Sequence, residues 1–260
     1  MVSLLLPIIY TAFISLGLPD SLLGSAWPTM YPELGVPVSC AGILSMIISL
    51  DTIFSSLQSD RLTRTLGTGR VTAISVGMTA AALFGFSIST QFWMLCLWAV
   101  PYGLGAGSVD AALNNYVALH YKSRHMSWLH CMWGVGASLG PVIMGQALAG
   151  FGWQGGYRII GILQVVLTVV LLFSLPLWKL PQDAMGGEPF TPQHRSFPEL
   201  LKITGVPEVL VCFLCYCALE STAGMWASSY CTLVRGLDAQ TAASWASPVS
   251  YTHLTLPTIA

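Results

Sequence analysis

Seven apolar runs, each long enough to cross a membrane as a helix, occupy most of this chain. A bilayer core about 30 Å thick takes about 20 helical residues to cross. Because lipid offers no partner to backbone N–H and C=O groups, such runs are expected to be helical. Charged residues are 8% of the chain, against about 25% in soluble domains, which excludes an ordinary soluble fold. The predicted spans are roughly Leu4–Ser25, Val38–Ser59, Val71–Ser89, Phe92–Ala118, Trp128–Ala149, Arg158–Trp178 and Val206–Thr232.

The basic residues fall in alternate gaps between these runs and so predict an orientation. Cytoplasmic loops of membrane proteins carry an excess of lysine and arginine. Eight of the ten basic residues lie in the second, fourth and sixth gaps, namely Arg61, Arg64, Arg70, Lys122, Arg124, Lys179, Arg195 and Lys202. The N-terminus is therefore predicted to be cytoplasmic, in a multi-pass protein of the plasma membrane.

The spacing of the runs predicts two unequal parts. Residues 1–178 hold six spans with short connections, which predicts an N-terminal six-helix transmembrane bundle, and residues 179–205 predict a cytoplasmic linker rich in Pro and Gly. Residues 206–235 hold the seventh span and are expected to begin a second, truncated bundle. We therefore expect missing C-terminal helices to be needed for activity. Residues 248–260 shift abruptly to Ser, Thr and Pro and are expected to be a non-native tail, with an ordinary extracellular loop as the alternative.

Four acidic residues fall inside the predicted spans, and no lysine or arginine lies deep in any span. They are Asp20, Asp51, Asp110 and Glu220. An ionisable group within a membrane is costly unless it faces a bundle interior or a wet cavity, so it is a functional candidate by default. These acids are predicted to carry a coupling proton or to hydrogen-bond a polar solute.

Asp110, Asn114 and His130 are expected to meet near the cytoplasmic ends of their helices. Asp110 and Asn114 are four residues apart and share one helix face, and His130 lies near the start of the next span. The three residues are predicted to form either a proton relay or a latch of the inner gate. Helix-to-helix hydrogen bonding by Asp110 and an interfacial role for His130 are the alternatives.

The seventh span places an acid between two aromatic residues. Tyr216 lies one turn before Glu220, and Trp226 lies about two turns after it. Aromatic faces stack on sugar rings while carboxyl groups bind hydroxyls. An aromatic ring beside a carboxyl group also attracts an organic cation. The sequence therefore leaves a sugar and an organic cation as alternative solutes. Tryptophans near other predicted helix ends favour an interfacial belt, and they are Trp27, Trp93, Trp133, Trp153 and Trp178.

Four passages carry a pattern shared with a known family. The first is FISLGLPDSLLGSAWP, residues 13–28, in the first span. The second is SDRLTRTLGTGR, residues 59–70, and the others are GLGAGSVDAALNNY, residues 103–116, and GVGASLGPVIMG, residues 134–145. Together they resemble the major facilitator superfamily, nearest its sugar-transporting, fucose/proton symporter-like branches. The second passage is similar to the family's loop signature G-x-x-x-D-R-x-G-R, although Ser56 replaces its first glycine.

The resemblance implies conformational roles for five residues. Asp60 and Arg61 would tie the loop to neighbouring helix ends and steady the closed inner gate, and solvated charges that only set orientation are the alternative. Gly136, Gly140 and Pro141 are similar to the glycine-proline signature of proton antiporters in the family. They would let the fifth span pack closely and bend, and generic helix packing is the alternative.

The expected fold is an all-α membrane protein, with a major-facilitator-type six-helix N-terminal bundle and a seventh transmembrane helix. The resemblance implies secondary active transport of a small-molecule solute, a sugar or other polar solute, by proton symport and alternating access. Proton-coupled drug efflux by antiport is the alternative, and a membrane-embedded enzyme or a seven-helix receptor or scaffold is less favoured.

The sequence contains no phosphate-binding loop and no metal-ligand set, since Cys212, Cys215 and Cys217 lack a second pair. We therefore expect no cofactor, no metal, no enzyme activity and no nucleic-acid partner. The expected partners are the solute, a coupling proton and the lipid bilayer.

Overall fold

Long helices account for nearly all of the residues that this computed structural model describes, which are 2–179, 199 and 201–247. None of these residues lies in a strand. A 3₁₀ turn, Leu175–Lys179, follows α7, and residues 239–247 form a short helix, α9. The other helices are α1 (Val2–Asp20), α2 (Leu22–Glu33), α3 (Cys40–Leu66), α4 (Thr68–Ile88), α5 (Phe92–His120), α6 (Ser123–Gly150), α7 (Gly152–Ser174) and α8 (Val206–Leu233).

Seven helical stretches among the described residues are long and apolar enough to cross a membrane, as the sequence predicts. The all-α membrane fold is therefore confirmed. α1 and α2 together make the first stretch, Leu4–Glu33, which continues past the predicted end at Ser25. Pro28 and Pro32 lie inside α2 without ending it, because membrane helices tolerate proline where neighbouring groups satisfy the freed backbone.

The break between α1 and α2 is held by serine hydroxyl groups. Ser21 separates the two helices, and its Oγ donates a hydrogen bond to the carbonyl oxygen of Ala137 on α6 at 2.9 Å. The Ser25 Oγ donates back to the Ser21 carbonyl oxygen at 2.8 Å. Asp20 is the last residue of α1, so the break presents its side chain near the middle of the first span.

Hydroxyl groups and glycines join α3 to α5. A Cβ added at Gly103 would lie 2.5 Å from the Ile48 carbonyl oxygen, and one added at Gly107 would lie 2.3 Å from that of Thr52. The glycines therefore let the two backbones approach closely, as small residues do in membrane interfaces. Thr52, Ser55, Ser56 and Ser59 use this approach to donate hydrogen bonds to carbonyl oxygens of Gly103, Leu104, Gly107 and Ser108.

The crossing of α1 and α6 depends on glycine in the same way. A Cβ added at Gly136 would lie 2.0 Å from the carbonyl oxygen of Ile14, and one added at Gly140 would lie 2.3 Å from that of Leu18. Pro141 is buried, and α6 continues through it to Gly150. The glycine-proline passage therefore packs α6 against α1.

α8 and α9 pack on the bundle between its middle and the end at which α2 finishes, here called the far end. A Cβ added at Gly24 of α2 would lie 2.3 Å from the Gly224 carbonyl oxygen of α8. The Ser247 Oγ of α9 donates to the Ser138 carbonyl oxygen of α6 at 2.7 Å. Residues 206–216 of α8 are mostly exposed, so α8 stands away from the other helices at the near end, where α1 begins.

Two predicted segments fall outside the described residues. Most of the predicted linker 179–205 is one of them, because 180–198 and 200 are not described, and the predicted tail 248–260 is the other. The proposed boundaries at these two segments stay predictions.

Candidate functional site

A cavity of about 380 Å³ extends from the middle of the bundle toward the far end, and each of α1 to α8 contributes to its wall. This volume falls in the range of about 300–1,000 Å³ that holds small ligands. Asp20 and Glu220 are the acidic side chains among the described lining residues, and no lysine, arginine or histidine is among them. The rest of the wall is apolar and aromatic, with a few hydroxyl groups, and includes Leu44, Ser45, Ile48, Ser49, Leu83, Phe86, Tyr102, Trp133, Tyr157, Ser221 and Met225.

Asp20 is held by two neutral hydrogen-bond donors from other helices. The Tyr102 hydroxyl of α5 donates to Asp20 Oδ1 at 3.1 Å. The Trp133 indole N–H of α6 donates to Asp20 Oδ2 at 2.9 Å. Tyr102 is buried, whereas the Asp20 side chain is open to the cavity. The carboxyl group is thus fixed in position and still accessible to a solute or to water.

Close backbone contact brings the Trp133 ring to Asp20. A Cβ added at Gly17 of α1 would lie 2.2 Å from the Trp133 carbonyl oxygen, so only glycine permits this separation. Asp20 follows Gly17 by three residues, which is about one helical turn. Gly17 therefore sets the distance between the Asp20 carboxyl group and its indole donor.

Glu220 faces Asp20 from the opposite wall, on α8. The two carboxyl groups interact electrostatically, and Glu220 is half-buried. Its neighbours Cys217, Ser221 and Gly224 also line the cavity. Residues spaced three or four apart share one face of a helix, so this face of α8 is turned toward the cavity. The contact between Gly24 and Gly224 at the level of the cavity holds this face toward the bundle.

Six of the eight predicted solute or proton residues are absent from the described cavity wall, and three of these six lie apart from the Asp110 cluster. Asp51 packs against Gly103 of α5 and is not among the lining residues that the structure describes. Tyr216 is exposed beside Phe213, with ring centroids 6.3 Å apart, and Trp226 packs against the apolar cluster at the far end. The aromatic side chains around Glu220 therefore come from the six-helix bundle and not from α8 itself.

Asp110, Asn114 and His130 come together below the cavity, nearer the near end. The Asn114 amide N–H donates to Asp110 Oδ1 at 2.9 Å. Asp110 interacts electrostatically with His130 and with Asp20. The His130 ring meets Phe13 edge-on at a centroid distance of 6.1 Å. These groups form a polar cluster on the near side of the cavity.

Asp60 and Arg61 lie within α3, which runs on to Leu66, and not in a loop. Asp60 pairs with Arg64 one turn later, at 2.6 Å, and both side chains are exposed. Arg61 is exposed as well. Exposed ion pairs of this kind contribute about 0.3–0.5 kcal/mol, so the pair seen here adds little to the stability of this end.

The aromatic donors Tyr102 and Trp133 are the site residues that sequence reasoning missed. Trp133 is predicted as a member of an interfacial belt, and that prediction is wrong because the ring binds Asp20 inside the bundle. Trp27 and Trp153 are fully buried and are not belt residues either. The position of Tyr102 within a predicted span is a signal in the sequence, since a tyrosine hydroxyl inside a membrane needs a hydrogen-bond acceptor. The sequence does not indicate which residue is the acceptor.

The site has the chemistry of reversible binding. Its carboxyl groups can accept a proton or a positive charge, its hydroxyls can hydrogen-bond, and its rings can stack. Among the described residues, no group of His, Cys, Asp and Glu side chains could hold a metal ion. A further buried polar contact, from Gln164 Nε2 to the Ser15 carbonyl oxygen at 2.5 Å, joins α7 to α1 away from the cavity.

Comparison with known proteins identifies relatives and a fold. A 4-hydroxybenzoate transporter, PcaK, of Pseudomonas aeruginosa is 25% identical over 62% of this chain and 37% of its own length. A quinolone resistance protein, NorA, of Staphylococcus aureus is 25% identical over 63% of this chain and 43% of its own length. The chain spans less than half the length of these relatives.

A solved structure shares the arrangement of helices. It is a bacterial homolog of the human lysosomal transporter Spinster, in an inward-facing and occupied conformation, with a TM-score of 0.65 and 13% identity. The match covers 95% of this chain and 58% of that one. At this identity the likeness shows the fold alone.

The family model named Major Facilitator Superfamily matches residues 9–253, nearly the whole chain. The family and the relatives named above are transporters, which confirms the expectation that the chain is not an enzyme. The sequence, the helical arrangement and the family match agree, and the chain belongs to the major facilitator superfamily.

Proposed function

We propose that this chain forms the solute cavity of a proton-coupled secondary transporter that works by alternating access. The observation that carries the proposal is the cavity lined by Asp20 and Glu220, each of which lies near the middle of its membrane-spanning stretch. Secondary transporters bind solute and coupling ion near the membrane midplane, between two parts that rock against each other. A cavity at this depth, with two carboxyl groups in its wall, suits that scheme.

Asp20 and Glu220 are the proposed carriers of the coupling proton. A carboxyl group inside a membrane is tolerated when it faces a wet cavity and takes part in a proton or solute pathway. The hydrogen bonds from Tyr102 and Trp133 keep the Asp20 carboxyl group in one place through the cycle. Protonation of these groups would change the charge of the cavity and therefore its affinity for the solute.

The path through Asp110, Asn114 and His130 is proposed to carry protons between the cavity and the near end. Its support is the position of Asp110, which interacts with Asp20 on one side and with His130 on the other. The competing role is a latch that closes the near end. The latch role predicts that solute exchange without net proton movement needs Asp110. The proton-path role predicts that this exchange does not need Asp110.

Gly136, Gly140 and Pro141 are proposed to keep α1 and α6 moving as one body. Their support is the close contact of both glycines with the α1 backbone. Asp60 and Arg61 are proposed to act at the near end, where positive charge would also fix the orientation. In that orientation the near end is cytoplasmic and the protein lies in the plasma membrane.

Further helices are proposed to complete the transport unit. In the described part of the chain, Asp110 and His130 are exposed, as is most of the first half of α8. A wall of additional helices would cover these surfaces, and the relatives are more than twice as long as the regions that match here. Proton-coupled uptake by the 260-residue chain alone would contradict this proposal.

Sugar symport, the function favoured by the seventh span, has less support from the wall of the cavity. Tyr216 and Trp226 are absent from the described lining. Several polar groups of the wall are already engaged, because Tyr102 and Trp133 donate to Asp20 and Ser21 donates to Ala137. The largely apolar remainder suits a solute with an apolar body.

The test is solute-driven proton movement in liposomes that contain a pH-sensitive dye. Gradients of sugars, aromatic acids and organic cations are imposed on the chain and on a polypeptide extended to the length of its relatives. We expect the extended protein to move protons with one solute class, and Asp20→Asn and Glu220→Gln to abolish that movement. Solute transport that never moves protons, or that both variants leave intact, would overturn the proposal.

A further inference from the structure

An open groove lies at the near end, at the turn between α5 and α6. α5 ends at His120 and α6 begins at Ser123, so the groove lies where two membrane-spanning stretches end. It is separate from the cavity that contains Asp20, because no described residue lines both. The lining residues of the groove are Val117, Ala118, Tyr121, Lys122, Ser123 and Met126.

The turn gives this groove positive charge. Lys122 lines the groove, Arg124 follows two residues later, and both side chains are exposed. In the described part of the chain the ion pair that forms joins Arg64 to Asp60, and neither Lys122 nor Arg124 has an acidic partner. A cleft lined by one sign of charge concentrates ions of the opposite sign. The groove therefore favours an anion.

Unused hydrogen-bond donors lie beside this charge. The Tyr121 hydroxyl oxygen is buried and has no hydrogen-bond partner among the described residues. A buried hydroxyl without a partner is costly, and an anionic oxygen would remove that cost. Among the same residues, no side chain caps the start of α6. The first backbone N–H groups of α6 can therefore also donate to an anion, as helix N-termini do to phosphate.

Contacts between side chains hold the walls of the groove in place. The Tyr121 ring meets the His125 ring edge-on at a centroid distance of 5.7 Å and the Tyr116 ring at 6.3 Å. The Tyr10 hydroxyl and His125 Nδ1 form a hydrogen bond of 3.0 Å, which joins α1 to the first turn of α6. Because the turn is already fixed, little ordering is needed when a ligand binds.

The membrane side of the groove is apolar. Val117 and Ala118 lie in the last turn of α5, and Met126 lies in the first turn of α6. A ligand that fills the groove would meet charge and donors at one end and apolar side chains toward the membrane. A phospholipid has this arrangement, whereas a free phosphate ion would leave the apolar side unused. Basic pockets between helices on the cytoplasmic side of membrane proteins bind anionic headgroups.

We propose that the groove binds an anionic phospholipid through its phosphate group. The phosphate oxygens lie among the Lys122 ammonium group, the Tyr121 hydroxyl and the first N–H groups of α6. The start of the acyl chains lies against Ala118 and Met126, and Arg124 adds charge at the edge. The site does not depend on the solute or on proton coupling, since the groove and the cavity share no described residue.

The experiment measures lipid binding to the purified 260-residue chain in an uncharged detergent by native mass spectrometry. Phosphatidylglycerol has a net negative charge, phosphatidylcholine has the same phosphate with a compensating cation, and inorganic phosphate has no acyl chain. We expect phosphatidylglycerol to bind at least about fivefold more tightly than phosphatidylcholine, and inorganic phosphate not to displace it. Equal binding of the two lipids would overturn the proposal. Displacement by inorganic phosphate would overturn the lipid assignment and leave a site for a free anion.

Variants locate the binding. Lys122→Gln should weaken phosphatidylglycerol binding about fivefold and change phosphatidylcholine binding little, because it removes one positive charge. Arg70→Gln is its matched control, because Arg70 is exposed in the first turn of α4, also at the near end, and lies outside the groove. This control should change binding less than about twofold. An equal loss in Arg70→Gln would show attraction to the whole basic end and would overturn the proposal.

Tyr121→Phe separates a built site from general attraction, since it changes no charge. It should weaken binding of both lipids about fivefold, because the phosphate loses a donor. Tyr230→Phe, at an exposed tyrosine near the far end, should leave binding unchanged, and an equal loss in both variants would contradict the assignment. Thermal unfolding checks each variant, and the lipid comparison on the unchanged chain decides the question if a variant does not fold.

Discussion

At the scale of single residues, Asp20 shows what the sequence predicts and where prediction stops. An acid inside a predicted span is visible in the sequence. It is a candidate functional residue because a charged group is costly to place in a membrane. Its partners Tyr102 and Trp133 are 82 and 113 residues away. No local pattern joins positions so far apart, since their meeting depends on how α1, α5 and α6 pack. The site was therefore predictable as a set of acids and not as a set of contacts.

Trp133→Phe removes one donor from Asp20 and keeps a ring. We expect the free energy of unfolding to fall by about 1–2 kcal/mol, because a carboxyl group inside the protein loses a hydrogen bond that water replaces only in part. Solute binding should weaken severalfold, since the indole also stacks more strongly than a phenyl ring. The measurements are denaturation in detergent and ligand binding in nanodiscs.

Trp128→Phe on the same helix is the matched control. Trp128 is 55% exposed and lies outside the cavity wall. The free energy of unfolding and the affinity for solute should therefore stay unchanged. If Trp128→Phe weakens binding as much as Trp133→Phe does, the hydrogen bond to Asp20 is not the cause.

Asp110→Asn distinguishes the proton path from the latch. In the proton-path role, net solute-driven proton flux should fall at least about tenfold, because the variant cannot pass a proton. Counterflow, in which labelled and unlabelled solute exchange without net proton movement, should persist, and solute binding should change less than about twofold because Asp110 is not in the cavity wall. Loss of counterflow together with flux would favour the latch. Asp238→Asn, the same change at an exposed position, should alter neither assay.

At the scale of helices, the sequence predicts well where the helices lie along the chain. It predicts poorly which helices contact each other. Every predicted span is helical along most of its length, because a run of about 20 apolar residues in lipid has no other way to satisfy its backbone. The break at Ser21 was not predicted, since it depends on a hydrogen bond to Ala137 on another helix. Glycines 103, 107, 136 and 140 were predictable as packing positions, but the helix that each one contacts was not.

Gly136→Ala should loosen the contact between α1 and α6. The added Cβ would lie 2.0 Å from the Ile14 carbonyl oxygen, and backbone atoms cannot yield without moving a helix. Overpacking of this kind costs about 1–3 kcal/mol, which exceeds the gain of about 1 kcal/mol from replacing glycine in a helix. We expect a lower unfolding temperature in detergent and weaker solute binding, because α6 also carries Trp133.

Gly42→Ala on α3 is the control for the helix-propensity gain. A Cβ at Gly42 meets nothing within 4 Å, so this variant should be unchanged or more stable by up to about 1 kcal/mol. A stable Gly136→Ala protein with normal binding would show that α1 and α6 separate at little cost.

At the scale of the whole molecule, α8 packs on the bundle through its second half and is mostly exposed along its first half. Gly24 packs on α8 at the level of the cavity, and Ser247 of α9 bonds to Ser138 near the middle of α6. Alternating access requires these contacts to break when the near end closes. The alternation of basic residues predicts that the near end faces the cytoplasm.

Single cysteines at the two ends of α5 test this orientation. Thr90 precedes α5 and Ser123 follows it, both are exposed, and a helix of 29 residues separates them by about 43 Å at 1.5 Å per residue. The seven native cysteines are first replaced, because Cys212 and Cys215 are exposed on α8. Thr90→Cys and Ser123→Cys are then treated with a membrane-impermeant maleimide on intact cells. Lys122 and Arg124 flank Ser123, whereas the turn at Thr90 has no basic residue, so Thr90→Cys should be labelled at once and Ser123→Cys only after permeabilisation. The reverse pattern would place the near end outside and the far end in the cytoplasm.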